Sequence, residues 1–180
     1  LGCTNQDAPN YNPNAEIDDG SCLASFEDIL NGEYEECFSF CSSTCPDILI
    51  QGIVVDYFDM TPFNGPHAIS LEDSIGYQID LLIWPSQWDI ENDSLAFILT
   101  PPYGQVLLQA KGNIFYYEGY KTTVCGPDDI TIIEFLGCTD PEACNYDETV
   151  TTDDGSCEYE LDCAGVCGGS AEIDECGECG

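Results

Sequence analysis

Positive charge is nearly absent from this sequence. It has no arginine and two lysines, Lys111 and Lys121, against 35 aspartate and glutamate residues, which gives a formal net charge of -33. Because lysine and arginine contacts to phosphate supply most of a protein's affinity for nucleic acid, we expect no nucleic-acid partner. Acidic membrane surfaces are excluded on the same ground, whereas cations or a basic partner are favoured. Adaptation to salty water or simple solubility is the alternative explanation of this charge.

Long apolar runs are also absent. No segment approaches the roughly 20 apolar residues of a membrane-spanning helix, and none resembles the apolar part of a signal peptide, so we expect no membrane insertion. The chain begins at Leu1 rather than Met, which we interpret as a mature or trimmed product. With 180 residues, 43% of them hydrophobic, the sequence can form one sizeable core with small satellite modules.

Common catalytic motifs are missing. The sequence contains no P-loop, no GxGxxG and no HExxH. The single histidine, His67 in FNGPHAIS, has no Ser or Cys nucleophile motif beside it, and we interpret it as a loop residue. Carboxylate pairs are too abundant to mark an acid–base site. We therefore predict a protein that is not an enzyme and that needs no organic cofactor.

Cysteine, in contrast, is abundant. Thirteen cysteines with one histidine predict a disulfide framework in an oxidising compartment, and hence a secreted or cell-surface protein. The alternative is a zinc site, because Cys163, Cys167, Cys176 and Cys179 offer four thiolates at CxxxC and CxxC spacing. The odd number leaves one cysteine over, which indicates truncation, a free thiol or an intermolecular bridge.

One segment occurs twice. Residues 1–22 align without gaps with residues 136–157, and twelve of the twenty-two positions are identical. Each copy is too short, and too rich in Asn, Asp, Pro and Gly, to be a helix or to bury a core. Bridges between Cys3 and Cys22, and between Cys138 and Cys157, would each close a loop of about twenty residues, worth roughly 3 kcal/mol. We therefore predict two loop-built, disulfide-linked modules.

The repeated segments also carry many side-chain oxygens. A flexible loop with six to eight such oxygens suits Ca²⁺, and we expect calcium to bind here. The candidate ligands are Asp7, Asn10, Asn12, Asp18 and Asp19 in the first copy and Asp140, Asn145, Asp147, Asp153 and Asp154 in the second. The alternative is that these side chains cap their own backbone in turns. The match to an EF-hand loop fails, because the sequence has no DxDxDG run.

The repeated pattern GCTxxxAxNYxxxxxxDDGSC resembles a short module found in tandem in secreted and cell-surface proteins of marine and freshwater bacteria. The stretch DCAGVCGGSAEIDECGECG, residues 162–180, resembles the glycine- and cysteine-rich unit that often follows it. Both are similar to thrombospondin type 3 repeats, whose acidic loops bind calcium and are joined by disulfides. The resemblance implies a secreted bacterial protein, although the regular DxDxDG ladder of thrombospondin repeats is missing here.

The segment 23–45 is predicted to be a connector. A short helix should follow Ser25 in SFEDILNG, with Asp28 completing a capping box and Gly32 ending it. Cys37, Cys41 and Cys45 recur every four residues, so a helical turn would place them on one face with partners elsewhere, one of them Cys125. Cys144 in the second copy completes the set of disulfide candidates.

The middle of the chain is rich in β-branched and aromatic residues. Five strands are predicted, at residues 48–58, 68–73, 77–84, 105–119 and 128–136, and residues 86–104 are predicted to form a short helix plus a loop. Five strands with a helix between the third and fourth is the order of an OB-fold barrel, and segments such as QGIVVDYFD and ISLEDSIGYQIDLLIW are similar to OB domains. The predicted fold is mainly β: an OB-like barrel flanked by small disulfide-rich repeats. The domains are 1–22, 23–45, 46–135, 136–161 and 162–180.

These features favour a structural function. We expect an extracellular self-assembling subunit of a fibre, surface layer or adhesive stalk, stabilised by calcium, with identical subunits meeting head-to-tail as a homo-oligomer or filament. One alternative is a non-catalytic carbohydrate-binding or accessory module of a larger secreted enzyme, in which barrel aromatics would stack on a glycan. A secreted calcium buffer is a third. The sequon at Asn92 is a candidate glycosylation site.

Overall fold

The computed structural model describes residues 1–35, 37, 45–99, 104–116, 120–174 and 179, with the backbone alone at 92, 116, 120 and 121. The chain divides into two compact units, Leu1–Ile133 and Glu134–Gly180. The first unit contains a β-barrel preceded by the first repeat. The second contains the second repeat and the glycine- and cysteine-rich tail. The predicted cysteine residues 41 and 176 lie outside the described residues.

Five strands close the barrel of the first unit, and this confirms the predicted OB-like fold. They are β1 (Ile48–Asp59), β2 (His67–Glu72), β3 (Gln78–Ile83), β4 (Val106–Tyr116) and β5 (Tyr120–Val124). Strands β1, β2 and β3 form an antiparallel meander, β4 pairs antiparallel with β5, and β5 pairs in parallel with β3. The antiparallel pairing of β1 with β4 then closes the sheet on itself, so the barrel leaves no open edge between its five strands.

Alternation along the strands fills the barrel. In β1 every second residue, Ile50, Gly52 and Val54, is buried, as expected for a strand with one face towards a core. The other strands contribute apolar side chains of the same kind to this core: Ile69, Leu71, Ile79, Leu81, Ile83, Leu108, Ala110, Ile114 and Val124. One strand position needs glycine, because a Cβ at Gly112 would collide with the carbonyl oxygen of Thr123.

The helix α1, Phe26–Leu30, covers part of this core and agrees with the sequence prediction. The Ser25 hydroxyl accepts a hydrogen bond from the Asp28 N–H at 3.4 Å, as an N-cap does. The helix ends at Asn31, and Gly32 follows with a φ of +77°. Phe26 and Ile29 are buried in the barrel core, and Phe26 packs over Gly52, where the absence of a side chain leaves room for its ring.

Short 3-10 turns replace the helix that was predicted between the third and fourth strands. Within the described part of residues 86–104, the turns are Ile90–Asn92 and Ala96–Leu99. The segment still covers the barrel core, to which it contributes Trp88, Ile90, Ile98 and Leu99. Two further turns, Thr61–Phe63 and Pro127–Asp129, lie outside this segment. The prediction of a short helix was therefore wrong in type, whereas the position of the covering segment was correct.

The fifth barrel strand lies earlier in the chain than predicted. It is β5, Tyr120–Val124, whereas the predicted fifth strand corresponds to β6, Ile130–Gly137, which stands next to β4 in the strand order. Thr122 and Thr123 of β5 are fully buried although they are polar, which explains why the apolar pattern did not reveal this strand. In the second unit, Leu136 and Gly137 at the end of β6 pair in parallel with β7, Thr152–Asp153.

Among the described residues, no helix has both the length and the apolar content needed to cross a membrane.

Candidate functional site

The first module, residues 1–22, and the second module, residues 136–157, are closed in the same way. A disulfide joins Cys3 to Cys22 and another joins Cys138 to Cys157, with Cα–Cα distances of 4.6 and 4.7 Å. Both bridges expected from the repeat are therefore present. Each module buries little besides its first cysteine and one alanine, Ala8 or Ala143. Covalent closure takes the place of a hydrophobic core.

Side-chain hydrogen bonds of Asn10 and Asn145 hold the modules closed in addition to the disulfides. The Asn10 amide donates to the Ser21 carbonyl oxygen at 2.6 Å and accepts from the Leu23 N–H at 2.9 Å. In the second module Asn145 makes the same two bonds, at the same two distances, to Ser156 and Glu158. The asparagine thus ties the middle of the loop to the end of its module next to the disulfide.

The DDGSC turn is also built identically in the two modules. The Asp18 and Asp153 carboxylates each accept the N–H of the glycine two residues later, at 2.7 Å, and both glycines have a φ of +80°. The other oxygen of each carboxylate accepts the hydroxyl of Thr4 or Thr139 at 3.1 Å. These threonines were not singled out from the sequence, although they are identical in the two copies.

Three further Asx side chains in each module accept the backbone N–H two residues ahead. Each bond in the first module has its counterpart in the second: Asn5 with Asp140, Asn12 with Asp147, and Asp19 with Asp154. Hydrogen bonds to Ser21 and Ser156 hold the pKa values of Asp19 and Asp154 below the usual range, and Thr149 does the same for Asp147. The ionised form of these carboxylates is therefore the one that caps the turns.

The two modules connect differently to the segments that follow them, and they differ at one aligned position that takes part in this connection. Cys144 in the second module donates its N–H to the Glu158 carbonyl oxygen at 2.8 Å and forms a disulfide with Cys167 in the tail. Pro9 stands at this position in the first module and has neither an N–H nor a thiol. There the chain leaves instead towards the barrel, where the Ala24 N–H donates to the Leu49 carbonyl oxygen at 2.7 Å.

The tail is organised around Asp162. Its carboxylate accepts the backbone N–H groups of Ala164, Val166 and Ala171, and these bonds lower its pKa. A disulfide between Cys163 and Cys179 joins the two ends of the tail. Because Cys163, Cys167 and Cys179 are disulfide-bonded, they are not thiolate ligands, and the alternative of a zinc site built on these cysteines does not describe this structure.

One expectation about the connector was wrong. Cys37 pairs with Cys45, so two of the three cysteines spaced by four residues bond to each other and not to distant partners. Cys125 is also disulfide-bonded, and its partner lies outside the residues that the structure describes. The pairing of Cys125 with one of the connector cysteines stays a prediction, which now concerns residue 41.

Most of the predicted calcium ligands accept hydrogen bonds within their own turns. Of the ten, Asn10, Asn12, Asp18, Asp19, Asp140, Asn145, Asp147, Asp153 and Asp154 accept hydrogen bonds from backbone N–H groups. The Asp7 N–H donates to Asn5. Within the described part of the chain, no group of three or more His, Cys, Asp or Glu side chains is arranged to hold a metal ion. The oxygens thus serve the backbone of the turns, and calcium binding by these residues stays a prediction.

Two further predicted positions lie in the barrel unit. His67 is not a loop residue: it begins β2, is 2% exposed, and its Nδ1 lies 2.8 Å from the Tyr57 hydroxyl and 4.0 Å from Asp59 Oδ1. The strand was predicted to begin one residue later, at residue 68. Asn92 ends the 3-10 turn Ile90–Asn92, and its glycosylation stays a prediction.

Comparison with known proteins yields partial similarities. No family model matches the sequence. A 25-residue stretch is 72% identical to part of the chloroplastic ribulose bisphosphate carboxylase/oxygenase activase of Spinacia oleracea, which is 14% of this chain and 5% of the activase. The chain therefore spans a very small part of that protein, and the match assigns no activity.

Two solved structures resemble part of the chain at low similarity. The S. pombe Stn1-Ten1 complex has a TM-score of 0.37 at 14% identity, over 48% of this chain and 57% of that one. The asparaginyl-tRNA synthetase of Pyrococcus horikoshii has a TM-score of 0.39 at 12% identity, over 54% and 22%. Similarities this low do not bear on the function of this chain.

Proposed function

We propose that this protein is an extracellular, non-catalytic structural subunit that assembles head-to-tail through its two repeated modules. The observation that carries the proposal is the repetition of one hydrogen-bond network, bond for bond, in modules that lie in two separate units. Two copies that differ at ten of twenty-two positions keep the same bonds. Selection for the module's shape, rather than for a local role in either unit, accounts for this.

The covalent closure of the modules supports a location outside the cell. Five disulfides join described cysteines, four of them in the modules and the tail. Reducing conditions in the cytosol would open modules that have almost no hydrophobic core. An oxidising exterior keeps them closed, and closed modules resist mechanical load because extension would have to break covalent bonds.

An exposed tyrosine at the same position of each module suits a contact between subunits. Tyr11 in the first module is 37% exposed and Tyr146 in the second is 44% exposed. Tyrosine is enriched at protein interfaces because its ring contributes apolar area while its hydroxyl keeps a hydrogen bond. A contact between unlike surfaces of identical subunits propagates into an open filament unless it closes into a ring.

Cations take part in this proposal as counter-ions. Subunits with a net charge of -33 repel one another until that charge is screened or neutralised. Since the module carboxylates are already engaged by backbone N–H groups, we propose that Ca²⁺ acts mainly by neutralising charge, without a dedicated cage. Mg²⁺ should then substitute for Ca²⁺ at a similar concentration, whereas a cage with several oxygen ligands would favour Ca²⁺.

Sedimentation velocity of the non-reduced protein tests this function. We expect concentration-dependent assembly in millimolar Ca²⁺ or Mg²⁺ and dissociation in excess chelator at low salt. The variant Tyr11→Ser/Tyr146→Ser should need at least about tenfold more protein to assemble, the loss expected when an interface aromatic is removed. Phe63→Ser is the matched control, since Phe63 is 85% exposed on the barrel unit and lies outside both modules. A monomer under all these conditions would refute the proposal.

A further inference from the structure

A cleft of about 290 Å³ lies between the first module and the start of β1, entirely within the first unit. Its apolar wall includes Leu23, Ala24 and Ile48. The volume is close to the lower end of the range for ligand pockets, which is about 300 to 1,000 Å³. It therefore suits one small ligand and is too small for a segment of folded protein.

The polar side of the cleft has balanced charge in a molecule that is otherwise strongly acidic. Lys111, one of the two lysines of the chain, lines it together with Asp47, and their Nζ and Oδ2 atoms are 2.9 Å apart. The side chains are 56% and 49% exposed, so both remain accessible to a ligand. The other Asp47 oxygen accepts from the Asn113 amide at 2.9 Å, which fixes the carboxylate in place.

Asn5 contributes an amide to the same cleft. Its Oδ1 accepts the Asp7 N–H at 3.1 Å, and the structure gives its Nδ2 no hydrogen bond to any of the described residues. The second module has Asp140 at this position, and its Oδ1 makes the same bond to the Glu142 N–H. Either residue can therefore cap this turn. In the first module, which lines the cleft together with Asp47, asparagine avoids adding a second carboxylate to the cleft.

Tyr34 also lines the cleft, and its phenol can donate a hydrogen bond. Burial, together with the nearby charge of Asp28, raises its pKa, so the phenol stays protonated and able to donate. The lining of the cleft thus combines three residues with hydrogen-bond donors, Asn5, Lys111 and Tyr34, with the Asp47 carboxylate and several apolar residues. A ligand that satisfies all of them must present several hydroxyl groups on one side and C–H groups on the other.

We propose that this cleft binds a single neutral sugar residue, either free or at the end of a glycan. An anionic ligand would meet the repulsion of the whole acidic molecule, and the charge-balanced Lys111–Asp47 pair offers a cation no net charge within the cleft. A purely apolar ligand would desolvate the Lys111–Asp47 pair without replacing its lost water contacts. Sugar hydroxyl groups replace those contacts as both donors and acceptors. This site does not depend on assembly of the subunits.

Saturation-transfer NMR with the methyl glycosides of glucose, galactose, mannose and N-acetylglucosamine tests the proposal. At least one should bind, with a dissociation constant on the order of millimolar for a ligand of about a dozen heavy atoms. Asn5→Asp should weaken binding about tenfold, because it keeps the turn-capping oxygen but loses the amide donor. Lys111→Met should also weaken binding about tenfold, because it removes the ammonium donor and keeps an apolar side chain. Asp140→Asn, the reverse exchange in the second module, should leave the affinity unchanged.

The proposal is overturned if none of the four glycosides binds at a concentration of about 10 mM, which is about tenfold above the expected dissociation constant. It is also overturned if Asn5→Asp and Lys111→Met bind a glycoside as tightly as the unmodified protein does. Circular dichroism of each variant checks that it folds. Failure of this test leaves the assembly of subunits unaffected, because sedimentation measures that property in the absence of any sugar.

Discussion

Asn10 and Asn145 show at the residue scale what the side-chain oxygens of the modules do. Both positions were predicted from the sequence to be calcium ligands. Calcium binding was expected there, with backbone capping as the alternative; the contacts described are to the backbone, and calcium binding stays a prediction. The two roles use the same residue types at the same short spacing, since both require an oxygen close to the chain. Composition and spacing therefore could not separate them.

The first prediction concerns the removal of this asparagine. Asn10→Ala deletes two hydrogen bonds that join the middle of the first module to its end, and we expect a local destabilisation of about 1–3 kcal/mol. Hydrogen exchange should increase at the Leu23 N–H and at the neighbouring amides of the first module. The second module, with Asn145 intact, serves as an internal reference.

Asn10→Asp is the matched control for this experiment. The carboxylate keeps the oxygen that accepts the Leu23 N–H and loses the donor to the Ser21 carbonyl oxygen, so its effect should be intermediate. Equal exchange rates in the unmodified protein and in Asn10→Ala would show that the disulfide alone defines the module.

At the scale of elements, the barrel was largely predictable and its fifth strand was not. Four strands stand out because β-branched and aromatic residues concentrate there, with turn clusters between them. In β5 the buried residues Thr122 and Thr123 are polar, and no strand was predicted between those at residues 105–119 and 128–136. The closing pairings of β5 with β3 and of β1 with β4 depend on contacts between distant parts of the chain, which local patterns do not report.

The second prediction concerns β4, where it passes β5. Gly112→Ala places a methyl group against the Thr123 carbonyl oxygen, and the strands would have to separate. We expect a loss of about 2 kcal/mol or more in the free energy of unfolding, measured by chemical denaturation. Gly126→Ala is the control, because its Cβ would meet no atom within 4 Å and its φ of -173° suits any residue. Equal stability of the two variants would contradict the close approach.

The third prediction concerns the independence of the first module. Cys3→Ala/Cys22→Ala removes the bridge that closes its twenty-residue loop, at a cost of roughly 3 kcal/mol to the module. The barrel core contains neither cysteine, so near-ultraviolet circular dichroism of its tryptophans should be retained while amide exchange in residues 1–22 increases. Loss of the tryptophan signal in this variant would mean that the barrel cannot fold without the module.

At the scale of the whole molecule, charge dominates. The -33 net charge excluded classes of partner directly from composition, because it does not depend on the fold. The connectivity of the cysteines could be predicted only where the repeat placed them at matching ends. The Cys37–Cys45, Cys144–Cys167 and Cys163–Cys179 pairs follow from the path of the chain, which spacing alone does not determine.

The fourth prediction is a loss of stability in acid. The pKa values of Asp19, Asp147, Asp154 and Asp162 are lowered by the hydrogen bonds that they accept in the folded state. A lowered pKa contributes stability that is present above the ordinary carboxyl value, near pH 4, and is lost as the pH falls through the lower folded value. Protonation also relieves the mutual repulsion of the carboxylates, which acts in the opposite direction.

Salt separates these two effects. In about 1 M NaCl, where the Debye length is about 3 Å, the repulsion is screened and the loss of the capped turns should dominate. Calorimetry should then show a melting temperature that falls as the pH drops below about 4, more steeply than at low salt. A melting temperature that rises on acidification at high salt would show that the capping carboxylates contribute nothing to stability.

The most direct test of the central claim is negative-stain electron microscopy of the purified, non-reduced protein. Grids would be prepared in millimolar Ca²⁺, in millimolar Mg²⁺ and in excess chelator at low salt. The structural function predicts filaments with either cation and their loosening or loss in chelator. Filaments that are indifferent to chelator would keep the assembly and remove the role given to cations, whereas dispersed particles under all three conditions would contradict the structural function itself.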